Sequence, residues 1–168
     1  MKCYTSSATL ILFFIFSQSA FSHATVDACG ARTFVGEITI YAKSDKVWKV
    51  LTDTKKYVKI MDYKWGSGKK DVDTVGDLAL MEFLDEETTY ELTFIEPGKK
   101  LSVKTEPSHA EYKNEKTWVV IPVDKWTTKV KVADIYKFPS GKFPPSAQQE
   151  INLFQERLEK LKSMAETS

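Results

Sequence analysis

The stretch SAQQEINLFQERLEKLKSMAE, Ser146 to Glu166, is the longest helical pattern in the chain. Ala147, Ile151, Phe154, Leu158, Leu161 and Ala165 recur at spacings of three and four, which puts them on one face of an α-helix. Glu150, Glu156, Glu159, Lys160 and Lys162 take other positions, and Glu156 precedes Lys160 by four residues in the favourable order. Ser146 with Gln149 reads as a capping box, and Pro144-Pro145 stops any earlier helix. Leu153 and Met164 fall off the stripe and are expected at its edge or exposed. Almost everything upstream reads as strand, so this helix needs a sheet to pack on. Burying each large side chain of its apolar face is worth about 1.5–3 kcal/mol. The expectation is a sheet that curves around the helix and leaves a space between them.

Upstream of the helix, Pro139-Ser140-Gly141 ends a run of alternating segments. Trp126 to Phe138 opposes Val130 and Val132 to Lys129 and Lys131. Glu115 to Val123 opposes Trp118 and Val120 to Thr117, Val119 and Ile121, and Asp124-Lys125 turns one segment into the other. Lys100 to Thr105 follows a Pro97-Gly98 turn, and Thr88 to Glu96 sets Tyr90, Leu92 and Phe94 against Thr89, Glu91 and Thr93. Leu78 to Leu84 precedes it, with Asp85-Glu86 between them, and Glu106 to Asn114 reads as loop. Gly66-Ser67-Gly68 and Val75-Gly76-Asp77 mark turns after a short strand near Met61–Trp65. Two short helices come earlier, one capped by Ser44 and one over Thr54–Met61, and Thr33 to Tyr41 is the first strand. The pattern is one α+β domain: a strand, two short helices, about six antiparallel strands and a long helix.

The chain is 168 residues with a formal charge of +1. Its beginning lies apart from the domain. Met1-Lys2, the apolar run Ala8–Phe16 and Ser22 and Ala24 at the minus-three and minus-one positions form the three parts of a secretory signal peptide. The alternative, a membrane anchor, needs roughly 20 apolar residues, more than the run supplies. The expected boundaries are a signal peptide over 1–24 and a single domain over 25–168, secreted or periplasmic. Loss of Lys2 takes the formal charge to zero, which gives neither nucleic acid nor a strongly anionic membrane a long-range pull. Cys3 falls in the leader and leaves Cys29 alone, so no internal disulfide forms. Cys29 is read as a free thiol or an intermolecular disulfide; lipidation is the lesser alternative, since Asp27 fits a lipobox poorly.

Several strings, in this order, resemble the START/birch-pollen-allergen-like superfamily, and within it the polyketide cyclase/dehydrase and lipid-transport group. They are Ile38-Thr39-Ile40 followed by Asp45-Lys46-Val47-Trp48-Lys49-Val50-Leu51-Thr52-Asp53, then Tyr57 and Trp65, then Ile95-Glu96-Pro97-Gly98-Lys99-Lys100-Leu101, then Trp118, Pro122 and Thr128. The resemblance spans about Val35 to Ala165. It implies a helix-grip fold, a curved antiparallel sheet wrapped around a long C-terminal helix, and a hydrophobic or amphipathic ligand such as a lipid, sterol or polyketide. It does not settle catalysis. Two departures stand out: members are often cytoplasmic, and the middle strands here read as short, which predicts a small cavity.

One mature histidine and one cysteine cannot build the usual zinc site, no Ser/His/Asp constellation is visible, and Gly66-Ser67-Gly68 lacks the lysine and helix of a phosphate loop. No metal and no cofactor is expected. Alternation places Met81, Phe83, Tyr90, Leu92, Phe94, Trp118, Val120, Val130, Val132 and Tyr136 on the inner face, with Phe154 and Leu158 from the helix. The competing expectation for this set is a filled core. Asp134 continues the inward row of Val130 and Val132, where it could orient or protonate a ligand; the competing expectation is that a bulge turns it outward or that it pairs with a lysine. His109, in a polar loop, is a weaker acid–base candidate, and Lys55-Lys56 and Lys69-Lys70 read as solvated pairs. The function expected is a monomeric exported binding protein for a hydrophobic small molecule or lipid. The alternatives are a cyclase/dehydratase-type enzyme using the same cavity and a filled-core protein-interaction module.

Overall fold

Antiparallel pairing between neighbours builds a single sheet. The computed structural model describes residues 21–26, 31–83, 85–108, 112–137 and 147–167; the side chains of Phe21, Val26, Phe83 and Ala147 lie outside that description. So do the apolar run, Cys29, His109, the breaks at 139–141 and 144–145, and the Ser146 cap. The described elements are β1 (Phe21–Val26), β2 (Arg32–Ile40), α1 (Ser44–Thr52), α2 (Thr54–Met61), β3 (Lys64–Gly68), β4 (Leu78–Phe83), β5 (Glu86–Glu96), β6 (Lys100–Pro107), β7 (Lys113–Pro122), β8 (Thr128–Lys137) and α3 (Ala147–Thr167). The sheet runs in the order β1-β2-β8-β7-β6-β5-β4-β3, so the second strand, β2, pairs with the last, β8. It curves around α3, whose apolar stripe buries Phe154, Leu158, Leu161 and Ala165.

Local chemistry accounts for most boundaries. β2 buries every second residue, Phe34, Ile38 and Ile40 among them, as a half-buried strand must. Asp53 bends the chain between the two short helices and accepts the backbone N–H of Lys55 and Lys56, capping α2. α1 behaves differently from the expectation: its cap position is Lys43, which makes no side-chain cap bond, and Ser44 is already helical. Pro97-Gly98 turns as expected, with Gly98 at φ 75°.

Three readings need correction. Gly66-Ser67-Gly68 is not a turn but part of β3, where the backbones approach closely. A Cβ on Gly66 would sit 2.8 Å from the Leu80 carbonyl oxygen, and one on Gly68 (φ +102°) 2.6 Å from that of Leu78. The middle strands are longer than the sequence suggested, β5 running eleven residues. The sheet also has a strand the sequence did not announce. β1 pairs Ala24 with Phe34 and Thr25 with Thr33, so the expected cleavage bond between Ala24 and Thr25 lies inside it. Leu153 and Met164 sit half-buried at the flank of the α3 stripe.

Candidate functional site

Inside the curve of the sheet, β6, β7 and β8 place four polar side chains in a row. Register decides this. Thr105 lies opposite Asn114, and Lys116 lies opposite Asp134. Thr105 donates its hydroxyl to the Asn114 carbonyl oxygen at 3.0 Å, and Asn114 donates its amide to Asp134. The Lys116 ammonium stands 2.9 Å from the other Asp134 oxygen, outside hydrogen-bonding angles, and donates to the Met61 sulfur at 3.4 Å. Lys116 and Asp134 expose only 2% and 1% of their side chains. From α3, Arg157 reaches into the same region and donates to the Met61 carbonyl at 3.3 Å. Among the described residues the interior thus sets one carboxylate against two cations.

Burial, the largest influence, pushes the Lys116 ammonium down to about 8; Arg157 pushes the same way, and Asp134 opposes both. Burial likewise raises the phenols of Tyr57, Tyr63, Tyr90 and Tyr136, which therefore stay protonated donors near neutrality. Tyr57 on α2 stacks edge-on with Tyr90 (5.1 Å between ring centroids) and with Trp118 (6.4 Å). The Trp118 indole nitrogen faces the Tyr57 hydroxyl without a bond of ordinary geometry. The Tyr90 hydroxyl, the Thr88 hydroxyl and the Arg157 Nε are buried with no protein partner. Such atoms cost about 1–3 kcal/mol each unless something satisfies them.

The sequence-derived wall divides as follows. Met81, Tyr90, Leu92, Trp118, Val120, Val130, Val132, Phe154 and Leu158 are all buried on the inner side, and Tyr136 is half-buried with its ring 5.7 Å from Phe34. Phe94 is a correction: it is 43% exposed. The β5–β6 register slips between Leu92 and Phe94, so Thr93 is the extra residue of a bulge and the alternation reverses beyond it. Ile95 packs on the core in its place. The Phe83 side chain and His109 lie outside the described residues. Asp134 is inward, as the alternation expected, and paired with a lysine. Lys55, Lys69 and Lys70 are exposed and Lys56 half-exposed; Lys69 is engaged with Asp77 at 3.3 Å.

Sequence reasoning missed Lys116, Asn114 and Arg157. The signal for the first two was present, because stepping back by twos from Val120 and Trp118 reaches Lys116 and then Asn114. Arg157 follows Phe154 by three residues and precedes Leu161 by four, on the same helical face. Long charged side chains are assigned outward by default, and that default hid them. Among the described residues no group of three or more His, Cys, Asp or Glu side chains converges as a metal site would.

No protein-family model matches the sequence, and comparison with curated proteins finds no match. The architecture is similar to several solved structures. The conserved protein of unknown function EF2215 from Enterococcus faecalis shares 19% identity over 87% of this chain and 77% of its own, at a TM-score of 0.65. Ara h 8.0201 shares 14% over 83% and 100%, at 0.62. This chain has a helix-grip fold, the architecture it shares with these structures. A third helix-grip structure, a norcoclaurine synthase point mutant from Thalictrum flavum in complex with a transition-state analogue, shares 13% over 80% and 94%, at 0.57. Within the helix-grip frame the polar row on β6–β8 faces the long helix, while most of the apolar wall surrounds it.

Proposed function

We propose that this protein is an exported carrier for an amphipathic small molecule or lipid, held between the sheet and α3. One observation carries the reading: buried polar atoms without protein partners, Tyr90 Oη first, lie among the apolar side chains of the inner wall, which also buries Lys116 and Arg157. A wholly hydrophobic ligand would leave those atoms unsatisfied. An apolar body with an acidic or hydrogen-bond-accepting head would meet the wall with one end and the two cations and the tyrosine with the other. The norcoclaurine synthase structure supports the principle that this fold holds a small molecule. Export rests on the Met1-Lys2, Ala8–Phe16 and Ala24 pattern. Cleavage after Ala24 would shorten β1 to two residues; cleavage nearer the apolar run would keep it whole.

Native mass spectrometry and organic extraction of freshly purified protein test the carrier reading, together with titration of an apolar fluorescent fatty-acid analogue. Binding that is weakened several-fold by Tyr90→Phe supports it. Absence of any co-purifying molecule and of any probe binding would refute it. A second reading, an enzyme of the cyclase/dehydratase kind, is favoured by Lys116, whose ammonium is poised at about 8 beside a carboxylate and so exchanges a proton near neutrality. It predicts turnover that Lys116→Met with Asp134→Leu abolishes in a protein that still folds.

A further inference from the structure

Away from that site, one end of the sheet gathers exposed aromatic rings, each overlaid by lysine. The β7–β8 hairpin tip carries Trp126, 60% exposed, with the ammonium groups of Lys43 and Lys125 at 4.7 and 5.0 Å from its ring. Tyr41, just past β2 and also 60% exposed, lies under Lys162 of α3 at 5.7 Å. Phe94, turned out by the bulge, lies under Lys100 at 5.1 Å. Topology places these together: Ile40 pairs with Thr128, Pro122 with Thr128, and Val120 donates its N–H to the Lys99 carbonyl beside the β5–β6 turn.

Cations outnumber carboxylates at this end: Lys43, Lys46, Lys99, Lys100, Lys125 and Lys162 stand against Asp45, Glu96, Asp124 and Glu166. Backbone N–H groups hold Asp124, Glu166 and Asp45 in place without cancelling their charge, and Glu96 pairs with Lys99. Lys43, Lys100, Lys125 and Lys162 have no ion-pair partner among the described residues. Exposed rings beneath surplus ammonium groups, with Val123 protruding at the hairpin tip, match the layered chemistry of a bilayer interface, with phosphates above and acyl carbons below. We propose that this end of the sheet docks on anionic phospholipid membranes, Trp126 and Val123 entering the headgroup layer. The near-zero total charge supplies no long-range attraction, so the contact is short-ranged and salt-sensitive. This surface stands apart from the ligand site, and its test does not depend on a bound ligand.

Flotation of the full chain with phosphatidylcholine vesicles, with and without phosphatidylserine, tests the proposal. Any adsorption by the N-terminal apolar run is common to both vesicles, so the readout is the phosphatidylserine-dependent increment. The expected result is an increment lost at high salt, reduced roughly tenfold or more by Lys43→Glu with Lys125→Glu, and reduced by Trp126→Ala. The charge-matched control, Lys113→Glu with Lys137→Glu at the opposite ends of β7 and β8, leaves it largely intact. Lys43 is half-exposed and the other substituted positions are exposed, and matching thermal midpoints establish that the variants fold. No phosphatidylserine-dependent increment, or equal loss in the control, overturns the proposal. Capture by an acidic polypeptide without vesicle binding would likewise overturn it and put a protein in the bilayer's place.

Discussion

Lys116 and Asp134 face each other directly across β7 and β8, 2.9 Å apart and both almost wholly withdrawn from water. Breaking such a pair from one side leaves a buried charge alone. Lys116→Met is therefore expected to destabilise the protein by about 3–5 kcal/mol, and Lys116→Met with Asp134→Leu to recover most of that loss. Urea denaturation of the three proteins checks this. Equal midpoints for wild type and Lys116→Met would show that the pair carries no such constraint.

The same lysine gives the protein a pH signature. Its folded value of about 8 lies below the unfolded value of about 10.4. Between them the unfolded chain keeps the proton that the folded chain has released, so stability rises with pH in that window and is lost as pH falls through 8. Above about 10 the raised tyrosines act oppositely, because their folded phenols resist ionisation. Wild type should gain about 2 kcal/mol from pH 8 to 10 relative to the double variant. Parallel curves for the two proteins would contradict the assignment.

Removing the Tyr90 hydroxyl takes away a buried donor that has no protein partner. Tyr90→Phe is expected to leave stability unchanged or raise it by up to about 1 kcal/mol, while weakening binding of a fatty-acid probe several-fold. A loss of stability without any loss of binding would mean that the hydroxyl serves the fold and not a ligand.

Bulge and burial make opposite demands on neighbours in β5. Leu92→Ala should cost about 2–5 kcal/mol, and Phe94→Ser less than about 0.5. Thermal unfolding of both variants distinguishes this register from one in which Phe94 points inward.

Most of the frame was legible because periodicity is a physical requirement. Val130 and Val132 had to share a face with Asp134, and Ile151, Phe154, Leu158 and Leu161 a helical stripe. Legibility failed where one residue changed the count or one charge belied its type. The extra Thr93 reversed the face of Phe94, and nothing in Tyr90-Glu91-Leu92-Thr93-Phe94 marks it. Lys116 looked like any outward lysine of a strand, since its partner lies eighteen residues on. β1 was hidden because Ser22 and Ala24 suit a protease site as well as they suit an edge strand, whose pairing depends on backbone and not on side-chain type.

α3 is fastened near both ends to β2 and the residue just past it. Glu150 accepts Arg32 at 2.8 Å, and sixteen residues later Glu166 accepts the Tyr41 N–H at 2.8 Å. Roughly 24 Å of helix is thereby laced to about 30 Å of extended chain, with the long Arg32 and glutamate side chains spanning the difference. Lys160 adds a stitch to Asp62 at the end of α2. A helix so tied cannot swing open like a door hinged at one end. A ligand of the proposed kind would have to slip past its flanks.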